Sequence, residues 1–164
     1  MKLEPPHTHH LNAAQGWLGL GVTDEASREL ERIPAALQSH PEVLEVRWQI
    51  YAKTGQWEDC VTVANRLIEL VPTVPQGWIH RSYALHELKQ TRQALEALLP
   101  ARIMFPKDWL IQYNLACYCC RLHEFERTLE FLKTAFKLGD ENEIKKMALA
   151  DADLKEVWNH IALM

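Results

Sequence analysis

Apolar residues recur along this chain at three- and four-residue spacing, in short blocks divided by turn signals, and each block predicts an amphipathic helix. Residues 42–54 carry Leu44, Trp48, Tyr51 and Ala52 in this way. Gly55-Gln56 breaks the pattern, since glycine suits the left-handed position past a helix end. Residues 57–71 resume it with Val61, Ala64, Leu67, Ile68 and Val71, until Pro72 stops it. The same double block returns as Trp78, Leu85 and Leu88, then Leu95, Leu98, Leu99 and Ile103, closed by Pro106. It returns again as Leu115, Ala116 and Leu122, then Phe125, Leu129, Leu132, Ala135 and Phe136. A weaker copy comes first: Leu11, Ala14, Trp17 and Leu18, then Ala26, Leu30 and Ile33. Trp17, Trp48 and Trp78 fall in corresponding stretches and are expected to open helices.

The blocks keep a fixed register. Gly21, Gly55, Lys89 and His123 stand 34 residues apart, as do Ala26, Cys60, Ala94 and Thr128, and Ile33, Leu67, Ala101 and Ala135. Gln38, Pro72, Pro106 and Asp140 form a fourth column. A period of this length predicts an all-α solenoid of four helix-turn-helix repeats, 7–40, 41–74, 75–108 and 109–142. Ala14, Ser82 and Ala116 place small side chains where paired helices approach to roughly 8–10 Å, as does the Ala26 column in the second helices. Trp48 interrupts the first of these columns. Pro34 and Pro100 fall inside second helices, which are expected to kink or end near Ile33 and Leu99.

Residues 1–6 are an N-terminal extension. Residues 143–164 carry a short apolar face, Ile144, Met147, Ala148 and Leu149, and then a further helix, capped by Asp151 or Asp153, with Leu154, Val157, Trp158 and Ile161 on one side. A solenoid's last repeat leaves an apolar face bare, so this tail reads as capping helices, with a dimerisation helix as the rival.

The spacing resembles the tetratricopeptide repeat, W-x2-L-G-x2-Y, then A-x3-F, then P. Trp78 occupies its Trp column, Leu115-Ala116 its Leu-Gly columns and Tyr51 its Tyr column. Gly55-Gln56-Trp57 matches the turn, and His123-Glu124-Phe125 does so more loosely. The resemblance covers residues 7–142; no single copy carries the whole pattern. Tyr113 to Gly139, followed by Ala150-Asp151-Ala152-Asp153-Leu154, also resembles the closing unit of bacterial arrays of this kind. The resemblance implies a right-handed solenoid whose second helices form the outer layer and whose first helices line a partner-binding groove.

Carried onto this chain, that groove stripe comprises Thr8, Leu11, Asn12, Gln15 and Leu18; Glu42, Glu45, Val46, Gln49 and Lys53; Gln76, Ile79, His80, Tyr83, His86 and Glu87; and Leu110, Tyr113, Asn114, Cys117, Cys120 and Arg121. The expected partner-binding residues are Asn12, Gln15, Gln49, Lys53, Gln76, Ile79, His80, Tyr83, His86, Tyr113, Asn114, Cys117 and Arg121. Amides and imidazoles suit a peptide backbone, while Ile79, Tyr83 and Tyr113 supply apolar contact. The bland alternative is a solvated helix face. A subclass of the family grips a C-terminal carboxylate with Lys, Asn and Arg at fixed positions; only Asn12 fits, and that mode is rejected.

Composition narrows the classes. The chain has 164 residues, 48% of them hydrophobic, enough for one domain with a continuous core. A net charge of −4 argues against nucleic acid, and the absence of a long apolar run argues against a membrane span. The first ten residues lack the apolar stretch of a secretory signal, and four cysteines, three within 117–120, form no disulfide framework, so a cytoplasmic setting is expected.

Candidate chemistry is sparse. Cys117 and Cys120 share a helix face, and His86 occupies the repeat position of Cys120, which leaves a thiol or zinc sensor open; cysteine as a small apolar packing residue is the simpler reading. His7, His9 and His10 read as a frayed end. Gly16, Gly19 and Gly21 lack phosphate-loop spacing, and no nucleophile elbow or carboxylate pair occurs. No cofactor and no enzymatic activity are expected. The reading is a protein-interaction module for a partner's peptide or helix. A secretion-type or assembly chaperone and a self-assembling scaffold, including a homodimer, are the alternatives.

Overall fold

The computed structural model describes residues 3–164, so Met1 and Lys2 of the N-terminal extension lie outside the described residues. Among these the chain is all helix and turn, with no strand. Helices α1 (His7–Gly19), α2 (Thr23–Glu31), α3 (Pro41–Thr54) and α4 (Trp57–Leu70) are followed by α5 (Gln76–Glu87), α6 (Thr91–Met104), α7 (Trp109–Arg121) and α8 (Phe125–Leu138). The tail forms α9 (Glu141–Ala150), a 3₁₀ stretch Ala152–Val157, and α10 (Trp158–Leu163). The chain divides into two compact units, Met1–His80 and Arg81–Met164.

The 34-residue column at Gly21 has a physical cause. Gly21, Gly55, Lys89 and His123 all hold left-handed backbone, with φ of 79°, 73°, 64° and 60°. Each sits in the same turn. The next residue's N–H reaches back to the fourth carbonyl from the column residue, at 2.9 Å in every copy: Val22 to Trp17, Gln56 to Tyr51, Gln90 to Leu85, Glu124 to Cys119. That is the six-to-one bond of a Schellman cap, which satisfies helix-end carbonyls and reverses the chain. The following helix then starts on a bond to the same turn, from Ala26, Cys60, Ala94 and Thr128 N–H. Those four side chains are completely buried, as are Ala14, Ser82 and Ala116.

Three expectations change. Of the tryptophans named, Trp78 alone lies in a first helical turn; Trp17 sits near the end of α1 and Trp48 in mid-α3. The residues that open helices are instead Trp57, Trp109 and Trp158. Pro34 does lie outside α2 and leads a 3₁₀ turn, but α6 runs on past Pro100 for four more residues. Pro100 and Glu96, whose carbonyl loses its partner, are both exposed, so water can take the place of the missing bond. The N-terminal histidines are not frayed: all three lie in α1, and His10 Nδ1 is 2.8 Å from Glu29 Oε2 on α2.

In the first unit Leu11, Ala14, Leu18, Ala26, Leu30, Ile33, Val43, Val46 and Ile50 form the core, and Leu3 is buried with them. In the second, Leu95, Leu98, Ile111, Leu115, Tyr118 and Leu132 are buried together with the tail's Leu154, Val157 and Ile161.

Candidate functional site

The expected stripe behaves differently in the two units. In the first, Asn12 and Gln15 on α1, Gln49 and Lys53 on α3, and Gln76 at the start of α5 are all exposed. Asn12, Gln15 and Gln76 border an open hollow of about 510 Å³. Its floor is apolar, from Leu11, Leu67, Val71 and Val74, and its α3 wall is Pro41, Glu42 and Glu45. The floor exists because Gly77 lets α5 begin tight against α4; a Cβ there would come within 3.0 Å of Ile68 Cγ1. Val74 is held at the surface by a turn bond from its N–H to Val71 O, 3.0 Å. A smaller hollow of about 390 Å³, between Gln15, Leu18, Trp48, Gln49, Ala52 and Lys53, lies in the same unit.

Trp48, which breaks the small-residue column, is accommodated by turning to α5. Its ring stacks on His80, centroids 3.8 Å apart and planes 9° from parallel. His80 Nε2 in turn faces both Glu45 oxygens, at 2.8 and 3.0 Å. Burial pushes the Glu45 carboxyl up, but the His80 hydrogen bond and charge, with a bond from Gln49, outweigh it and hold it below the usual carboxylate range. His80 and Ile79 are half-buried. His80 is thus committed to a Trp48–His80–Glu45 arrangement within the first unit.

In the second unit the chain itself covers part of the expected stripe. Tyr113 and Cys117 on α7 are 4% and 5% exposed, and His86 on α5 is 8% exposed. The tail lies over them. Tyr113 OH donates to Asp151 Oδ2 at 2.8 Å, and Cys117 Sγ to the same oxygen at 3.5 Å. His86 Nε2 is 2.9 Å from Asp153 Oδ2, and Arg121 Nε is 3.6 Å from Asp153 Oδ1. The His86 hydrogen bond, against the effect of burial, keeps Asp153 below its ordinary range. Leu154 and Val157 bury themselves beside these contacts, and Trp158 Nε1 ties the tail to Ala148 O and Asp151 O. Tyr83 and Arg121 stay exposed and Asn114 is half-buried, but Tyr113 and Cys117 present no open face, and His86 meets only a polar hollow. Sequence alone does not show this: Asp151 or Asp153 reads as a helix cap and Leu154 as part of the tail's apolar side, and only the fold shows that the two carboxylates land on the stripe.

The thiols do not look reactive. Burial and the Asp151 charge push Cys117 well up, and burial raises Cys120. Cys119 is pushed up to about 11 and Cys60 to about 12, both chiefly by burial. A reactive thiol needs the opposite shift. Among the described residues no group of three or more His, Cys, Asp or Glu is placed to hold a metal. A polar hollow of about 420 Å³ beside His86 holds Lys89, Arg92 and Arg121, with Arg92 paired to Glu124 at 2.7 Å. No helix among the described residues is long and apolar enough to cross a membrane.

The architecture matches solved tetratricopeptide-type structures. MamA residues 41 to the end, from Desulfovibrio magneticus RS-1, superpose with a TM-score of 0.73 at 22% identity, over 98% of this chain and 94% of that one. TTC0263, a thermophilic TPR protein in Thermus thermophilus, gives 0.71 at 21% identity over 96% and 100%. Another MamA crystal structure gives 0.71 at 16% over 95% and 86%. No sequence profile of a protein family matches the chain, and no curated protein matches it in sequence. At these identities the likeness establishes the fold: an all-α solenoid of tetratricopeptide-like helical hairpins.

Proposed function

We propose that this chain is a protein-interaction module whose docking face is the open hollow of the first unit, where a peptide or helix of a partner settles. The observation that carries this is the contrast within the expected stripe. Its Asn12, Gln15 and Gln76 end borders an open hollow whose apolar floor reaches the surface at Val71 and Val74, whereas its Tyr113 and Cys117 end is already filled by the tail. A volume of about 510 Å³ falls within the ~300–1,000 Å³ typical of ligand sites. A floor built on short-range packing between α4 and α5 is preformed, so little ordering entropy opposes binding. Four repeats over residues 7–142, with residues 143–164 as the cap, are the unit of description that fits this reading.

The test is paired affinity capture. A first-unit variant (Gln15→Ala, Gln76→Ala and Val74→Asp together) and a second-unit variant (Arg121→Ala) are compared with wild type. Partners kept by wild type and Arg121→Ala but lost by the first-unit variant support the reading. Equal retention by all three places the docking face elsewhere.

A further inference from the structure

We infer that the occupant of the first-unit hollow is a basic, apolar linear segment of another protein: one large aliphatic or aromatic side chain next to Lys or Arg. This rests on the hollow being the docking face. Three observations carry the charge assignment. The floor takes apolar side chains through Leu67, Val71 and Val74, while the charged groups that border it are Glu42 and Glu45; no Lys or Arg is among the described residues lining it. Glu45 is already engaged by His80, which leaves the exposed Glu42 as the carboxylate that meets an incoming group. The long-range field agrees with the local one. Residues 1–80 hold six Lys and Arg against ten Asp and Glu, the whole net charge of −4, while residues 81–164 hold twelve of each.

A cation next to an apolar anchor therefore gains twice. It is steered toward the acidic unit, and it pairs with Glu42 at the edge of an apolar floor that its neighbouring anchor covers. An acidic segment meets like charge at both distances. The amides of Asn12, Gln15 and Gln76 serve an extended backbone of either kind, so they add affinity without setting sign.

Selection of short random peptides displayed on phage against the full-length chain tests this. The best sequence is then synthesised, labelled and titrated by fluorescence anisotropy onto wild type, Glu42→Lys, Glu42→Gln and the charge-neutral Val74→Asn, each checked for native helix content by circular dichroism. The expected result is enrichment of Lys or Arg beside Leu, Ile, Met or Phe. Affinity should fall by roughly tenfold or more on Glu42→Lys, less on Glu42→Gln, and by several-fold on Val74→Asn. Enriched peptides that are acidic or uncharged, or basic ones that bind Glu42→Lys as tightly as wild type, overturn the charge assignment and leave the docking face standing. Peptides that bind Val74→Asn as tightly as wild type overturn both.

Discussion

The two units build the same hairpins from the same register and finish them differently. In the first, residues on the leading-helix stripe face solvent around an apolar floor, and the charge is acidic. In the second, the chain's own Asp151–Val157 covers Tyr113, Cys117 and His86, bringing two carboxylates to them and to the exposed Arg121 and burying Leu154 and Val157, while Tyr83 stays exposed. In this unit the surface of α7 that would otherwise face outward is occupied by the chain's own tail. A shared hairpin turn thus says little about which face is available; what covers the face decides that.

The largest effect separates these two faces directly. Leu154 is completely buried, so Leu154→Ala removes packing that cannot refill and should cost about 2–5 kcal/mol in urea unfolding. Val74, 39% exposed at the hollow, already lies partly in water, and Val74→Ala should cost under about 1 kcal/mol. Comparable losses at the two sites would mean that the first-unit floor is covered too, and the contrast would collapse.

How far the sequence discloses this contrast depends on what each signal measures. The hairpins are legible because their cause is local: Gly21 and Gly55 need left-handed backbone, and Ala26, Cys60, Ala94 and Thr128 need a close helix approach. Periodicity reports both. The open end of the stripe follows as well, since Asn12, Gln15 and Gln76 belong to helices whose faces are set by the same period. The closed end does not. Asp151 lies 38 residues from Tyr113, and Asp153 67 from His86, and no repeat relates them. How Trp48 is accommodated is illegible for a similar reason. A large side chain in a column of small ones looks like a defect until His80, on the next helix, turns out to be its stacking partner.

Acid should probe both units through different carboxylates. Glu45 and Asp153 each have a folded-state pKa below the ordinary value, so each contributes stability that is full above the ordinary carboxylate range and is lost as pH falls through the folded value. Asp153→Asn should therefore flatten the acid-side loss of stability of the second unit, and Glu45→Gln that of the first. Each should cost on the order of 1 kcal/mol at neutral pH, from a lost charge-assisted bond. Chemical unfolding across pH 2–7 (roughly the span of the carboxylate range) reads both. A variant whose acid slope matches wild type would show that its carboxylate is not held by its histidine.

The smallest effect returns to the turn that all four hairpins share. The first unit meets its left-handed requirement with Gly21 and Gly55, the second with Lys89 and His123. For a side chain with Cβ that backbone costs roughly 1–2 kcal/mol, offset in part because glycine loses more chain entropy on folding. Lys89→Gly and His123→Gly should each stabilise the chain by about 0.5–1 kcal/mol, whereas Gly55→Ala should destabilise it by about 1 kcal/mol. Nothing within 4 Å would meet a Cβ at Gly55, so the loss there would be conformational and not steric. His123→Gly also removes the edge contact of the imidazole with Phe125, rings 5.8 Å apart, so its gain should be the lesser of the two. Thermal melts of the three single variants would decide the matter. If Lys89→Gly fails to raise the melting temperature, the left-handed turn of the second unit is supported by something other than its backbone preference, and the shared geometry of the two units would not carry a shared cost.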